Sequence, residues 1–405
     1  MDATPLWKLT LSALKESERS SLAILEMTTE SLFMHVHVQP LAEYLRHRGH
    51  YVVLACSEAS GEAGQSFVQQ LRENGFDVMV LPMRRVISLW ADVKAVFLLY
   101  RYLYVHRFDI VHVHTAKAGI IGRVAAWLAG VPTVIYTSHG FPFHSYLSPA
   151  RVWFYVWLER LAARFCHAIT VVSDAVRSRG LAFRVAPSEK IRVISNGVDT
   201  DRFDPIKYSG ERLSVRREWG IYPEAVVFGT LCRLVPDKGL DCLLRALAMV
   251  VERHQDVHCV ICGDGPLRNQ LGDMVEELNL SKHVSFCGYR RDIPRVLSGF
   301  DVFILPTRRE GFGLSFVEAM SMEIPVIGSL ISPITELVLE GETGFLAQVD
   351  KPEEFAAAAD RLLASKDLRC QMGKAGRAHV IEKFGLQRVC EAYERLFLEE
   401  CRKRV

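Results

Sequence analysis

Residues 309–320 read REGFGLSFVEAM, with Glu310 and Glu318 eight positions apart around a glycine-rich turn. The run before it, DVFILPT, is short and apolar in the manner of a strand, and the run after it has helical spacing. A strand, a loop holding Gly311 and Gly313, and a helix opening near Leu314 are the parts of an anion site. Small residues admit a ligand to the backbone, and the amides of Gly313 and Leu314 at the helix start would receive a phosphate. Upstream, LCRLVPDKGLDCLLRA sets Arg233 just after another strand and Lys238 where the next helix opens. Two cations and two amides converging on one edge suit a diphosphate. Plainer readings stand beside this one: a GxG triplet is a common turn, and Lys238 could form a surface ion pair with Asp237 or Asp241.

These residues need elements to hold them. From residue 21, short β-rich runs alternate with amphipathic ones: LAILEMTT, YVVLACS, DVMVLPM, IVHVHT, TVIYTSH, AITVVSD and IRVISNG. After NGVDTDRFDP and a polar stretch the pattern restarts near Glu224 with AVVFGTLCRL, VHCVICGDG, VSFCGY, DVFILPT, PVIGS and FLAQV. Nearly continuous apolar strands separated by helices predict parallel sheets covered on both faces, hence an α/β protein with two doubly wound, Rossmann-like domains. The expected division is an extension at 1–20, a first domain at 21–199 and a second at 200–385. A last helical segment, 386–405, has no following strand and is free to pack back on the first domain. Ligands of open α/β sheets bind outside the strands' carboxyl ends, so a cleft between two such domains is the expected site.

Composition narrows the function classes. The chain has 405 residues, too many for one core, and 49 basic against 47 acidic residues leave a formal charge of +2. No global field points to nucleic acid. Cys259 and Cys262 lie in an apolar run without a second Cys/His pair at zinc spacing, which predicts core thiols in a reducing compartment. No run approaches the ~20 apolar residues of a spanning helix, and the amino terminus lacks the features of a signal peptide. A cytoplasmic protein is expected.

The spacing of Glu310 and Glu318, together with RLVPDKG, GDGPLR, GYRRDIP and ISNGVDTDRF, resembles the retaining glycosyltransferases of family 4, which have the GT-B fold. The likeness spans about residues 21–400. LPMRRVIS, HVHTAKAGIIGRVAAWLAGVP and HGFPFH are similar to bacterial enzymes that build capsular, exopolysaccharide and lipid-linked oligosaccharides. The resemblance implies a nucleotide diphosphate sugar, with uridine the favoured base, as donor of a hexosyl or N-acetylhexosaminyl group. It assigns Glu310 to donor-sugar hydroxyls, Glu318 to the ribose, and Arg233, Lys238 and the Gly313 and Leu314 amides to the diphosphate. Gly311 and Phe312 complete that loop, and Arg290 matches a position against the nucleobase, with a plain surface arginine as its alternative. His139, at a first-domain strand end, matches a position facing the reacting sugar.

Retention is implied to proceed by front-side attack through an oxocarbenium-like transition state. The departing diphosphate oxygen helps take the acceptor proton, so no general acid and no cofactor or metal is expected. Asp199 and Asp201 have D-x-D spacing, but the likeness to NGVD favours a linker turn over metal ligation. His112, His114 and His144 are weaker candidates, with packing the favoured reading of the strand pair His112 and His114, and His35 and His37 are read as a helix face or turn. Two departures stand out: MTTESLFMH replaces the family's Gly-Gly loop after the first strand, and Cys232 replaces a glycine. Domain closure on the donor is a further expectation.

The acceptor is expected to be a lipid-linked or oligosaccharide glycan, with Lys117, Arg84 and Arg85 as its candidate ligands. In residues 151–165, Trp153, Phe154, Tyr155 and Trp157 could meet membrane while Arg151, Arg160 and Arg164 meet anionic headgroups, giving peripheral association. Equally, three of those aromatics could be core beneath a helix that covers the sheet. Two other functions share the donor chemistry: a sugar-nucleotide epimerase or hydrolase, and a non-catalytic sugar-nucleotide sensor.

Overall fold

A computed structural model of the protein describes residues 21–58, 62–84, 86–143 and 147–403. The expectations for residues 1–20, Arg85 and His144 fall outside the described residues. The chain divides into two compact units. One gathers residues up to Val171 with Arg179–Arg192 and Cys390–Val405, and the other gathers Val172–Ser178 with Val193–Val389.

The first unit holds a seven-stranded sheet. Its strands are β1 (Ala23–Glu30), β2 (Tyr51–Ser57), β3 (Asp77–Val80), β4 (Ile110–His114), β5 (Thr133–Ser138), β6 (Ala168–Val171) and β7 (Ile191–Val193), in the order β3-β2-β1-β4-β5-β6-β7. The pairs β1–β2, β1–β4, β2–β3, β4–β5 and β5–β6 are parallel. Winding starts at β1 and proceeds outward both ways, which makes the β1/β4 crevice the switch point of this sheet. Ile24, Leu25, Ile110, Val111 and Ile135 are fully buried, as expected of strands with helices on both faces. Set among them, equally buried, are Glu26, His112, Thr137 and Thr170.

The second unit holds β8 (Val226–Leu231), β9 (Val257–Cys262), β10 (Val284–Gly288), β11 (Val302–Leu305), β12 (Val326–Ser329) and β13 (Gly344–Ala347). Their order, β10-β9-β8-β11-β12-β13, puts the switch point between β8 and β11. Both sheets are therefore the Rossmann-like kind that the alternating pattern predicts, and every quoted apolar run carries one of their strands. Of the two expected core thiols, Cys259 remains free and buried while Cys262 is disulfide-bonded to Cys287. The correction follows from register: β9 and β10 are parallel neighbours, and Cys262 pairs with Gly288, next to Cys287.

The helix Pro149–Ala162 overturns the core reading of its aromatics. Trp153, Phe154 and Trp157 are 62%, 48% and 59% exposed, so they are not core. The face turned inward is instead Val156, Glu159 and Ala162, and buried Glu159 pairs with Arg123 at 2.8 Å. Arg160 is not free to meet headgroups, because its guanidinium donates to the Phe183 carbonyl at 2.8 and 3.0 Å.

Candidate active site

In the second unit the chain leaves β8 through Arg233 and a 3-10 turn, Pro236–Lys238, and leaves β11 through Pro306–Gly313. The two exits flank the switch point and are laced together. Arg309 pairs with Asp237, Arg308 with Asp241 and Asp350, and Thr307 Oγ1 donates to the Asp237 carbonyl at 3.1 Å. Lys238 pairs with Glu310, not with Asp237 or Asp241, since both aspartates are taken by arginines. Gly239, at φ 64°, lets the turn lie against β11's exit: a Cβ there would stand 1.9 Å from the Pro306 carbonyl oxygen. Gly263 does the same for the neighbouring exit, its Cβ position lying 1.8 Å from the Cys232 carbonyl oxygen.

Arg233 is exposed at this edge and has no side-chain partner among the described residues. Gly313 adopts φ 105° and starts the helix Leu314–Ser321 without a side-chain cap. The amides of Gly313 and Leu314 find no acceptor among the described residues, so the helix opens with its donors available. Ser173 Oγ braces the turn by donating to the Gly311 carbonyl at 2.8 Å. Phe312 contributes only backbone here, because its ring is buried edge-on to Phe384.

Glu318 is half-buried on that helix, and its carboxylate has no hydrogen bond or ion pair among the described residues. Burial, opposed by Arg202, pushes its carboxyl up to about 7. Such a group is an acceptor waiting for donors. Arg290 is neither bare nor fully exposed: Asp292 accepts from it at 2.6 and 2.8 Å, and Glu218 pairs with it as well. Asp199 accepts from the amides of Asp201 and Arg202 at 3.0 and 2.9 Å, which is a turn of the linker type.

In the first unit β1 runs into a helical turn, Ser31–Phe33, and then a π-helical turn, Met34–Val38. This takes the place of a glycine loop. The result is a wall of rings, with Phe33 stacked on His37 and edge-on to His139, which follows β5. His35 turns away, bonding Gln39 at 2.6 Å. Behind the wall lies the buried polar set that the sequence reading took for packing. Glu26 on β1 accepts from His112 Nδ1 at 3.0 Å and His114 Nε2 at 2.8 Å, both on β4. His114 Nδ1 lies 3.1 Å from His139 Nε2, and His112 Nε2 lies 2.7 Å from Thr137 Oγ1.

The two histidines hold Glu26 ionised against the cost of burial, at about 2, and burial lowers His114 to about 4. Glu26, His112 and His114 form the metal-capable trio found among the described residues, with donor atoms within 4.8 Å of one another. Each of those atoms already has a hydrogen-bonding partner inside the trio. Sequence reasoning missed Glu26. Its signal was a charged residue inside the apolar run LAILEMTT, opposite the alternating histidines of IVHVHT.

The same unit contains a cavity of about 880 Å³ at the carboxyl ends of β1, β2 and β3, lined by Glu30, Ser57, Met83, Arg84, Val86 and Lys94 among others. Arg84 is exposed on it. Lys117 pairs with Asp92 at 2.8 Å and donates to the Val86 carbonyl at 2.5 Å, so it ties down the 86–92 segment.

A fold of two such sheets is shared with solved glycosyltransferases. A Rickettsia africae glycosyltransferase superposes with TM-score 0.79 at 19% identity, covering 94% of this chain and 98% of the other. Anabaena HepE, solved with UDP and glucose, does so with TM-score 0.79 at 22% identity over 93% and 99%. These likenesses define the GT-B fold. Residues 211–379 match the family model described as glycosyl transferases group 1, and residues 34–197 match the glycosyl transferase 4-like domain. The UDP-Gal:alpha-D-GlcNAc-diphosphoundecaprenol alpha-1,3-galactosyltransferase of Escherichia coli is 34% identical over 318 residues, 78% of this chain and 81% of that protein. The capsular polysaccharide biosynthesis glycosyltransferase CapM of Staphylococcus aureus is 28% identical over 78% and 84%. The chain belongs to the family 4 glycosyltransferases of GT-B fold.

Proposed function

We propose that the protein transfers a hexosyl or N-acetylhexosaminyl group, with retention, from a UDP-sugar to a lipid-linked glycan in surface polysaccharide assembly. The observation that carries the reading is the switch-point edge of the second unit, where exposed Arg233 and the Gly313 and Leu314 amides are unspent donors beside Lys238 and Glu310. A diphosphate satisfies them, the donor sugar takes Glu310, and the ribose hydroxyls take Glu318. Charge that grows on the departing diphosphate falls on cations and amides already in place, a contribution of about 3 to 4 kcal/mol for one well-aimed donor. With the leaving oxygen assisting the acceptor's proton, the step needs no metal.

The cavity of the first unit at Arg84 and Lys94 takes the acceptor. The relatives support an acceptor of this class, since one of them is named for GlcNAc-diphosphoundecaprenol. Exposed aromatics on three successively packed helices suit contact with the membrane that carries such a lipid: Trp90 and Phe97 on Leu89–His106, Trp127 on Ala116–Leu128, and Trp153 and Trp157 on Pro149–Ala162.

The test is a panel of UDP- and GDP-sugars with and without polyprenyl diphosphate acceptors, in EDTA and in magnesium. Transfer from a UDP-hexose that needs acceptor and survives EDTA is expected. Free sugar released at the same rate without acceptor would make the protein a hydrolase or epimerase, and activity rescued only by magnesium would overturn the metal-free mechanism.

A further inference from the structure

The cavity at the carboxyl ends of β1, β2 and β3 opens beside the helix Leu89–His106, which at about 100° per residue presents three faces. Ala95, Leu99 and Leu103 are buried, Ala91, Lys94 and Leu98 line the cavity, and Leu89, Trp90, Val93 and Phe97 form the third face. With Val86 and Ile87 just before the helix, that face is a ridge of apolar side chains, all more than half exposed, Trp90 at 90%. A continuous apolar ridge of this kind marks a membrane or partner surface. Lys94 stands between ridge and cavity, and Arg84 stands in the exit from β3. Both cations are exposed and have no partner among the described residues. Lys117 is spent on Asp92 and the Val86 carbonyl, at 2.8 and 2.5 Å, and so secures the segment from which the ridge rises. Further along, the lining turns acidic, with Glu30 ending β1 and Glu58 following β2. Carboxylates repel a diphosphate and accept from hydroxyls, so an anion belongs at Arg84 and Lys94 and a sugar toward β1.

We propose that cavity and ridge together seat a glycosyl diphosphate lipid: the glycan lies toward β1, Arg84 and Lys94 hold the diphosphate, and the polyprenyl chain follows the ridge from Val86 to Phe97 into the bilayer. The order of sugar, anion and hydrocarbon along such a lipid matches the order of acids, cations and apolar ridge along the surface. A polar glycan then stays out of the hydrocarbon while its tail remains in it. At about 880 Å³ the cavity is within the range that encloses small ligands, with room for a diphosphate and its first sugar. The proposal rests on the reading of the protein as a transferase to a lipid-linked glycan. It adds Arg84 and Lys94 as the side chains that select the diphosphate, and the ridge as the path of the tail.

Flotation of the full-length protein with phosphatidylcholine vesicles reads this seat without any transfer step. Vesicles carrying undecaprenyl diphosphate should bind about a hundredfold more tightly than vesicles carrying undecaprenol, or phosphatidylglycerol at matched charge. Lys94→Ala and Arg84→Ala should each lower that preference about tenfold, and the double variant should abolish it. Melting temperatures should stay within about 2 °C of wild type, since both side chains are exposed. Changing Trp90 and Val93 together to aspartate should instead weaken binding to every vesicle alike and keep the preference for diphosphate. Equal binding of the wild type to the three vesicles, or binding to none, would overturn the proposal. So would a preference untouched in the Arg84 and Lys94 double variant, which would place the diphosphate elsewhere, or vesicle binding by the ridge variant equal to wild type. A preference for undecaprenyl diphosphate in a protein that transfers no sugar from any UDP- or GDP-sugar would instead remove the transferase reading and leave the lipid site standing.

Discussion

Arg233 and Glu318 are the two charged side chains of the second unit's site without partners among the described residues, and they are expected to respond differently to removal. Arg233→Ala takes away a cation whose use grows as the leaving group gains charge, so kcat should fall about 10²- to 10³-fold while donor KM changes less. Initial-rate kinetics check this, and wild-type turnover would remove Arg233 from the phosphate. Glu318 should govern KM through its ionisation. Its carboxyl, raised to about 7 by burial, is mostly protonated at pH 6 and mostly ionised at pH 8, and only the ionised form accepts from both ribose hydroxyls. Donor KM should therefore fall about tenfold from pH 6 to pH 8. The same shift opposes stability: a carboxyl that holds its proton more tightly when folded favours the fold below its unfolded value near 4.5 and weakens it as pH rises toward 7. Glu318→Gln should flatten both profiles, and a KM independent of pH in the wild type would show that Glu318 does not bind the donor.

At the scale of elements, the two exits of the second sheet are held by close backbone approach. Gly239→Ala would drive a Cβ into the Pro306 carbonyl at a positive φ, and the turn carrying Lys238 would have to move. A loss of more than ~1 kcal/mol in urea unfolding is expected, with a disproportionate loss of donor affinity because Lys238 and Glu310 shift together. Full stability and affinity would show that the turn is not held by Gly239. On the helix Pro149–Ala162, changing Trp153 and Trp157 together to aspartate should leave folding intact, since both are exposed, and should abolish flotation with anionic vesicles. Flotation equal to wild type would exclude this helix from membrane contact.

Elements of this kind were legible in the sequence because parallel strands covered on both faces must be apolar almost throughout, and runs such as TVIYTSH and DVFILPT stand out for that reason. The order of Glu310, Gly313 and Glu318 was legible too, being local to one loop and helix. Partner choice was not. Lys238 could be paired with Asp237 or Asp241 on paper, and only the packing of the two exits shows that arginines occupy both. Glu26 was hidden because its partners lie 86 and 88 residues away on β4, and register between β1 and β4 is a property of the folded sheet.

For the molecule as a whole, the glycosyltransferase family is carried by both halves of the chain, and the chemistry is proposed from sites built at a switch point in each sheet. The first unit is finished by the end of the chain. Tyr393 reaches Thr137 in the buried polar set, and Glu394 accepts from Tyr44 at 2.9 Å and Arg48 at 3.1 Å and faces His50 at 3.2 Å. Its last strand, β7, ends at Val193, whereas these closing residues come after the whole second sheet has been made. A ribosome adding about 5 to 20 residues each second takes on the order of tens of seconds to cross that interval. Through it the nascent first sheet waits with the apolar surface meant for Tyr393 and Phe397 uncovered, so holding by a chaperone during synthesis, and sensitivity to premature stops within the final helix, are written into the order of the elements.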